Sequence, residues 1–186
     1  MPDKPQTKVD LLPRFTRIGD NGWETPIRSH LLAYNVPLPA PATHDALTAC
    51  EHRLGAHLPE PFTLFLRTFG PVNFNDPTLL PPDQIHPLDH WGFSPYLSDE
   101  DQRRLRGKIQ IAETGSDDVY GLDLTTGTCC RCEHYPATFE DWLPSFDDFV
   151  RMALIDLSWS YYGWPDPEIE RMATELKNDV FGARCW

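Results

Sequence analysis

The chain has 186 residues and a formal net charge of −12 at pH 7. This length suits a single domain that can bury a core without help from a metal or a disulfide. The acidic balance disfavours nucleic acid and anionic membrane surfaces as ligands, because both are bound through clustered Lys and Arg. Two alternatives remain, a solvated acidic surface or a surface suited to a basic protein partner.

The sequence shows no targeting segment. "MPDKPQTKVDLL" lacks an apolar stretch of signal-peptide length, and no apolar run is long enough to span a membrane. The five cysteines include three in "CCRC", and neighbouring cysteines on one strand point to opposite faces and pair poorly. We therefore expect a cytoplasmic protein with reduced cysteines.

Residues 1–42 are predicted to form a Pro-rich arm that packs on the domain or precedes it. The segment "LLAYNVPL" could be a short strand or an extended stretch. Residues 43–186 are predicted to form an α+β domain with a C-terminal helical extension. The prolines of the arm interrupt every stretch that could become a helix, and they are Pro2, Pro5, Pro13, Pro26, Pro37, Pro39 and Pro41.

Two helices are predicted at the start of the domain. Thr43 suits the N-cap of the first helix and Gly55 its left-handed end, with Pro59 in the following turn. The second helix starts near Pro61 and ends at Gly70. Its apolar residues recur at helical spacing and predict a buried stripe, made of Phe62, Phe65, Leu66 and Phe69.

The hydrophobic period then changes from 3.6 to 2. After a Pro-rich connection and a short helix capped by Ser98, three runs predict an antiparallel meander, namely "KIQIAET", "DDVYGLDL" and "TCCRCEHY". Ser145 and Asp166 are predicted to cap two final helices, with Gly163 between them. The predicted class is α+β, with helices packed on an antiparallel or mixed central sheet.

A metal site is one interpretation of the third run. Cys129 and Cys132 have C-x2-C spacing and His134 follows, but the second ligand pair that zinc normally needs is missing. Alternation along a strand would also send Cys129 to one face and Cys130, Cys132 and His134 to the other. The favoured interpretation is therefore small buried residues, with no metal and no cofactor.

Three aspartates in "GSDDVYGLDLTTG" could instead suggest catalysis or calcium binding. Their spacing does not match a calcium loop. Asp117 and Asp118 lie at a predicted turn, where both carboxylates should be solvated. Asp123 lies within a predicted strand and needs a hydrogen-bond partner, so its role stays open.

Three stretches, in order, resemble the SUKH superfamily, whose founding members are yeast Smi/Knr-like cell-wall regulators. "CEHRLGAHLPEPFTLFLRTFG" is similar to the family's two helices with an intervening "LG..LP" turn. "KIQIAETGSDDVYGLDLTTG" resembles its strand pair with a "D...TG" ending, and "WLPSFDDFVRMAL" resembles its closing helix. The Pro-rich arm, the "CCRC" strand and the extension after Gly163 depart from the pattern. The residues that match as structural positions are Gly55, Pro59, Gly70, Gly121, Asp123, Gly127, Phe146 and Phe149.

The resemblance implies a non-enzymatic binding domain without catalytic residues. Bacterial members are mostly immunity proteins that neutralise toxins, often nucleases, whereas fungal members act as regulatory scaffolds. We therefore expect a monomeric or weakly dimeric immunity protein that binds a toxin or other secreted effector through an acidic surface. A regulatory Smi/Knr-like domain is the alternative, and a hydrolase or metal protein centred on Asp123, Cys132 and His134 is a third.

Aromatic residues on predicted loops and nearby carboxylates are the candidates for the partner surface. Aromatic side chains surrounded by charge are typical anchors of protein interfaces. The alternative for the aromatic residues is a local core beneath a long loop. The candidates are Trp91, Tyr96, Trp164, Asp117, Asp118, Asp147 and Asp148.

Overall fold

A six-stranded antiparallel sheet is the centre of the fold in the computed structural model, which describes residues 4–162 and 166–182. The α+β class is confirmed. The strands are β1 (Thr78–Leu79), β2 (His86–Pro87), β3 (Lys108–Glu113), β4 (Val119–Asp123), β5 (Cys129–His134) and β6 (Ala137–Leu143). The described helices are α1 (Glu24–Ala33), α2 (His44–Leu54), α3 (Glu60–Phe69), α4 (Asp99–Arg104), α5 (Phe146–Tyr161) and α6 (Pro167–Phe181).

Strands β3 to β6 form a meander, and β1 and β2 both pair with the free edge of β3. The three predicted strands are confirmed, while β1, β2 and β6 were not predicted. Because hairpins join successive strands, the β3–β4 and β5–β6 turns lie at one end of the sheet and the β4–β5 turn lies at the other. We call these the Asp117 end and the Asp123 end.

The two faces of the sheet cover separate cores. The larger core lies between the sheet and the helices, and includes Leu122 and Cys129. The smaller core lies on the other face, beneath residues 88–105, and includes Cys130 and Cys132. The predicted placement of Cys129 opposite the other two cysteines is thus confirmed. Gly121 lies where β4 meets the smaller core, and a Cβ there would lie 2.5 Å from Leu88 Cδ2.

Local sequence signals account for α2 and α3. The Thr43 hydroxyl accepts the Ala46 backbone N–H at 3.2 Å, and Gly55 ends α2 with a φ of 66°. Gly70 ends α3 with a φ of 71°, close against the Ala40 backbone. The predicted apolar stripe of α3 is buried, as expected for Phe62, Phe65, Leu66 and Phe69.

The prediction that no helix forms before residue 42 was wrong. Helix α1 covers Glu24–Ala33, so part of "LLAYNVPL" is helical rather than a strand or an extended stretch. Pro26 lies in the first turn of α1, where its missing N–H has no intrahelical partner to lose. Helix α1 buries Ile27 and Leu31 in the larger core.

The N-terminal segment also contacts the C-terminal helices. Leu11 is buried against Ile155 of α5 and Ile169 of α6. The Ser158 hydroxyl lies 2.9 Å from the Leu11 carbonyl oxygen and 2.8 Å from His30 Nε2. Burial lowers the pKa of His30 to about 4, so its imidazole is neutral at pH 7. The division of the chain at residue 42 stays a prediction.

Candidate protein-binding site

The Asp117 end of the sheet is built by two hairpin turns joined through one carboxylate. Asp118 Oδ1 accepts the His134 backbone N–H at 2.9 Å and lies 2.9 Å from His134 Nδ1. Only 16% of the Asp118 side chain is exposed. The expectation that Asp118 is a solvated surface charge was therefore wrong, because this residue fixes the two turns to one another. Asp117, beside it, is exposed and has a φ of 67°.

Exposed aromatic side chains surround these turns. Tyr135, in the β5–β6 turn, is 86% exposed, and Tyr96, in a short 3-10 helix, is 76% exposed. The Phe93 ring lies between Tyr96 and the end of β5, since its centroid lies 6.3 Å from the Tyr96 ring and 5.5 Å from the His134 ring. We call this surface the tyrosine face, and it consists of Phe93, Tyr96, Asp117, His134 and Tyr135.

The structure corrects the role expected for Trp91. This residue is 6% exposed and belongs to the smaller core, with its ring 5.6 Å from the Phe93 ring. It supports the tyrosine face from below instead of anchoring a partner. Tyr135 was missed, although "HYPAT" between two strands signals a turn whose Tyr points outward. Trp164 and Gly163 lie outside the described residues.

A cleft of about 360 Å3 adjoins the tyrosine face. The carboxylates of Glu113 and Asp117 lie on its rim, and two imidazole rings stack at 6.4 Å beside it. Carboxylates at an exposed cleft favour basic groups over acidic ones. The residues that line it include His86, His90, Phe93, Gln110, Glu113 and Asp117.

Asp147 and Asp148 both form contacts within the chain. Asp147 is 8% exposed, and its Oδ1 accepts the Ile18 backbone N–H at 2.6 Å. Asp148 receives the Ser145 hydroxyl at 2.7 Å and the Arg151 guanidinium at 2.7 Å. The burial of Asp147, which docks the N-terminal segment, corrects the partner-binding role expected of it. Asp148 forms the capping contact predicted at the start of α5, and its role in partner binding stays a prediction.

Asp123 ends β4 and organises the opposite end of the sheet. Its Oδ1 accepts the Thr125 and Thr126 backbone N–H groups at 2.8 and 2.9 Å, and its Oδ2 lies 2.7 Å from Lys108 Nζ. Burial alone would raise the pKa of Asp123, but Lys108 and the two N–H groups lower it to about 2. The open question about Asp123 is thereby answered, since its hydrogen bonds close the β4–β5 turn.

Cys129, Cys132 and His134 are not arranged as metal ligands. Cys129 and Cys132 are buried on opposite faces of the sheet. Burial raises the pKa of Cys129, and a hydrogen bond with Cys130 together with burial raises that of Cys132. The part of the chain that the structure describes contains no group of three or more His, Cys, Asp and Glu side chains suited to a metal. Asp123 and His134 lie at opposite ends of the sheet, so the hydrolase alternative lacks its geometry.

The three stretches that carry the resemblance meet at the Asp123 end. Pro59, from the α2–α3 turn, Gly127, from the β4–β5 turn, and Phe146, from α5, line one cleft of about 420 Å3. Phe146 is 2% exposed, and its ring packs 5.0 Å from that of Phe62. These motifs therefore build the junction between helices and sheet, while the tyrosine face lies at the far end.

The antiparallel sheet, the α2–α3 turn and the Ser145-capped helix α5 together form an α+β domain. The family model described as the SMI1 / KNR4 family (SUKH-1) matches residues 41–152, more than half of the chain. The chain belongs to this family. A comparison with curated proteins found no match. Among the described residues, no helix combines the length and apolarity needed to cross a membrane.

Proposed function

We propose that this chain is an immunity protein, which neutralises a secreted bacterial toxin by binding it without catalysis. The observation that carries the proposal is the tyrosine face, where Tyr96 and Tyr135 are 76% and 86% exposed and Asp117 is exposed as well. Exposed aromatic side chains near charged groups are typical anchors of protein interfaces.

Charge supports a basic partner. The chain carries a net charge of −12, and the exposed residues Glu113 and Asp117 line the cleft that adjoins the tyrosine face. A nuclease presents positive charge where it binds phosphates, so an acidic protein surface can cover that site. This complementarity favours a nuclease among the possible toxins.

The tyrosine face is also rigid beneath its exposed side chains. Asp118 fixes the two turns, and Trp91 packs under Phe93. A preformed surface loses little conformational entropy when it binds, which favours tight association. The proposal includes a cytoplasmic location and a monomer or weak dimer in the absence of the toxin.

A regulatory Smi/Knr-like domain that binds a cellular enzyme is the second candidate, and family membership favours it equally. The gene neighbourhood distinguishes the two, since a toxin gene directly upstream supports immunity.

Co-expression with the neighbouring gene product tests the proposal. We expect the chain to restore growth and to form a complex, and we expect the double variant Tyr96→Ala/Tyr135→Ala to lose both. Leu32→Ala is the matched control, because Leu32 is 56% exposed on α1, outside the tyrosine face. Absence of both rescue and complex for the unaltered chain would overturn the proposal.

A further inference from the structure

The cleft that adjoins the tyrosine face has a buried amide among its lining residues. Gln110 of β3 is only 4% exposed, and it lines this cleft. Its side chain forms no hydrogen bond within the part of the chain that the structure describes. A buried polar group without a partner costs free energy. A ligand in the cleft would supply the partner that this amide lacks.

A β-bulge brings a carboxylate to the same cleft. Residues three apart on a regular strand point to opposite faces of the sheet. The pairing of β3 with β4 shifts register between Gln110 and Ala112, and Ile111 and Ala112 both belong to the larger core. Gln110 and Glu113, three residues apart, consequently line one cleft on the other face. Bulges often re-aim a side chain beside a functional site.

The cleft carries negative charge that the chain itself does not pair. Glu113 and Asp117 are exposed on its rim, and neither carboxylate forms an ion pair with another described residue. No lysine or arginine is among the described residues that line the cleft. The two imidazoles there, of His86 and His90, carry charge only when they are protonated. The cleft therefore favours a cation as its ligand.

We propose that this cleft binds the ammonium group of a lysine side chain from a partner protein. An ammonium group has three N–H donors and no acceptor. The acceptors of the cleft lie at three places, since Gln110 is within β3, Glu113 ends it and Asp117 lies in the turn that follows. Such a spread suits a compact ammonium, whereas the planar fork of arginine pairs best with a single carboxylate.

The position of the cleft favours a lysine within a protein over a free amine. Phe93 and Asp117 line the cleft and also belong to the tyrosine face. A lysine that enters the cleft would therefore extend the contact of a protein bound at Tyr96 and Tyr135, with its aliphatic stem against the Phe93 ring. The inference rests on the proposed function only for the identity of the partner, a toxin with a basic surface.

Titration with Nα-acetyllysine amide tests the site, and the side-chain NH2 signals of Gln110 in NMR spectra are the readout. We expect saturable shifts of these signals. N-acetylnorleucine amide, which keeps the aliphatic chain but lacks the ammonium group, should cause none, and N-acetylarginine amide should bind more weakly than the lysine probe. Equal shifts from the norleucine probe would overturn the proposal, and tighter binding of the arginine probe would overturn the choice of lysine.

Substitutions within the cleft test its acceptors. Glu113→Gln should weaken binding of the lysine probe about two- to fivefold. Glu140→Gln, the same change at an exposed glutamate of β6 outside the cleft, should leave binding unchanged. Gln110→Met keeps an unbranched side chain of similar size and removes the amide, so it should weaken binding about tenfold. The backbone N–H signal of Thr114 is the readout for this variant.

Binding unaltered by Gln110→Met would contradict the proposed role of the amide. If that variant does not fold, the two glutamate variants decide, because equal effects of Glu113→Gln and Glu140→Gln would overturn the site. Binding of the lysine amide at least as tight as that of butylamine supports a protein as the source, and a clear preference for butylamine overturns that source. The probes require no toxin, so failure of the growth rescue would leave these titrations unaffected.

Discussion

The two ends of the sheet use aspartate in opposite ways, although both aspartates lie within the same thirteen-residue stretch "GSDDVYGLDLTTG". At the Asp123 end, the carboxylate is saturated by Lys108 and two backbone N–H groups, and 17% of its side chain is exposed. At the Asp117 end, Asp117 and the two tyrosines of the tyrosine face are exposed. One end is closed by its own hydrogen bonds, and the other exposes the surface that we propose for binding.

The difference arises from the hydrogen-bond donors that lie close to each aspartate. Thr125 and Thr126 follow Asp123 at the positions where an aspartate side chain can accept their N–H groups, which closes the turn locally. Asp117 instead has a positive φ and an exposed side chain. The same acidic stretch therefore contains one aspartate with a structural role and one on the surface. The two differ in the hydrogen-bond donors that surround them.

The largest difference between the ends should appear when apolar side chains are removed. Phe146→Ala should lower the free energy of unfolding by about 3–5 kcal/mol, because it leaves a cavity among packed rings. Tyr135→Ala, at the other end, should change it by less than about 0.5 kcal/mol. Urea unfolding measures both. Equal losses for the two variants would refute the division into a stabilising and a binding end.

A smaller change in the free energy of unfolding is expected from matched substitutions of Asp123 and Asp117. Asp123→Asn should cost about 2 kcal/mol at pH 7, since it weakens a largely buried ion pair and its turn. Asp117→Asn is the control, and it should be nearly neutral. The midpoints of urea unfolding of the two variants measure this difference in stability. A loss for Asp117→Asn as large as that for Asp123→Asn would contradict the proposed roles.

The pH dependence sharpens the same contrast. The pKa of Asp123 is lowered from 3.8 to about 2 in the folded chain. A lowered carboxyl pKa gives stability that is complete above the unfolded value and is lost as pH falls through the folded value. The stability advantage of the unaltered chain over Asp123→Asn should thus shrink by about 1 kcal/mol between pH 5 and pH 3. A constant difference across this range would be inconsistent with a lowered pKa.

The smallest effect concerns the rate at which a basic partner associates. Asp117→Asn should slow association by a few-fold at low salt, and the difference should vanish as salt rises. Stopped-flow or surface-based kinetics at two ionic strengths would measure it. Asp45→Asn serves as the control, because it also removes one exposed charge but lies on α2, outside the tyrosine face. An identical slowing by both variants would show that net charge, rather than the tyrosine face, steers the encounter.

Elements with local signals were predicted from the sequence. The caps at Thr43, Ser98, Ser145 and Asp166 are all present, because each depends on residues two or three positions away. The sequence also predicted the apolar stripe of α3. Helix α1 was missed because Pro26 was taken as a helix breaker. Strand β6 was missed because its buried and exposed residues do not alternate regularly.

The candidate site was only partly predictable. Tyr96 was expected to be exposed and is. The burial of Trp91, Asp118 and Asp147 depends on contacts with segments that are distant in sequence, such as Asp147 with Ile18. Nothing in the local residues distinguishes Asp147 from Asp117. The acidic character of the surface could therefore be predicted, but the identity of its members required the fold.

The contact between the N-terminal segment and α6 has a consequence for handling the protein. Lys4 lies 2.7 Å from Asp166, and Leu11 fills a site lined by Ile155 and Ile169. Removal of residues 1–12 would expose that apolar site on two helices at once. We therefore expect a chain without residues 1–12 to self-associate and to become susceptible to proteolysis along α6. These residues should be kept when the protein is shortened for study.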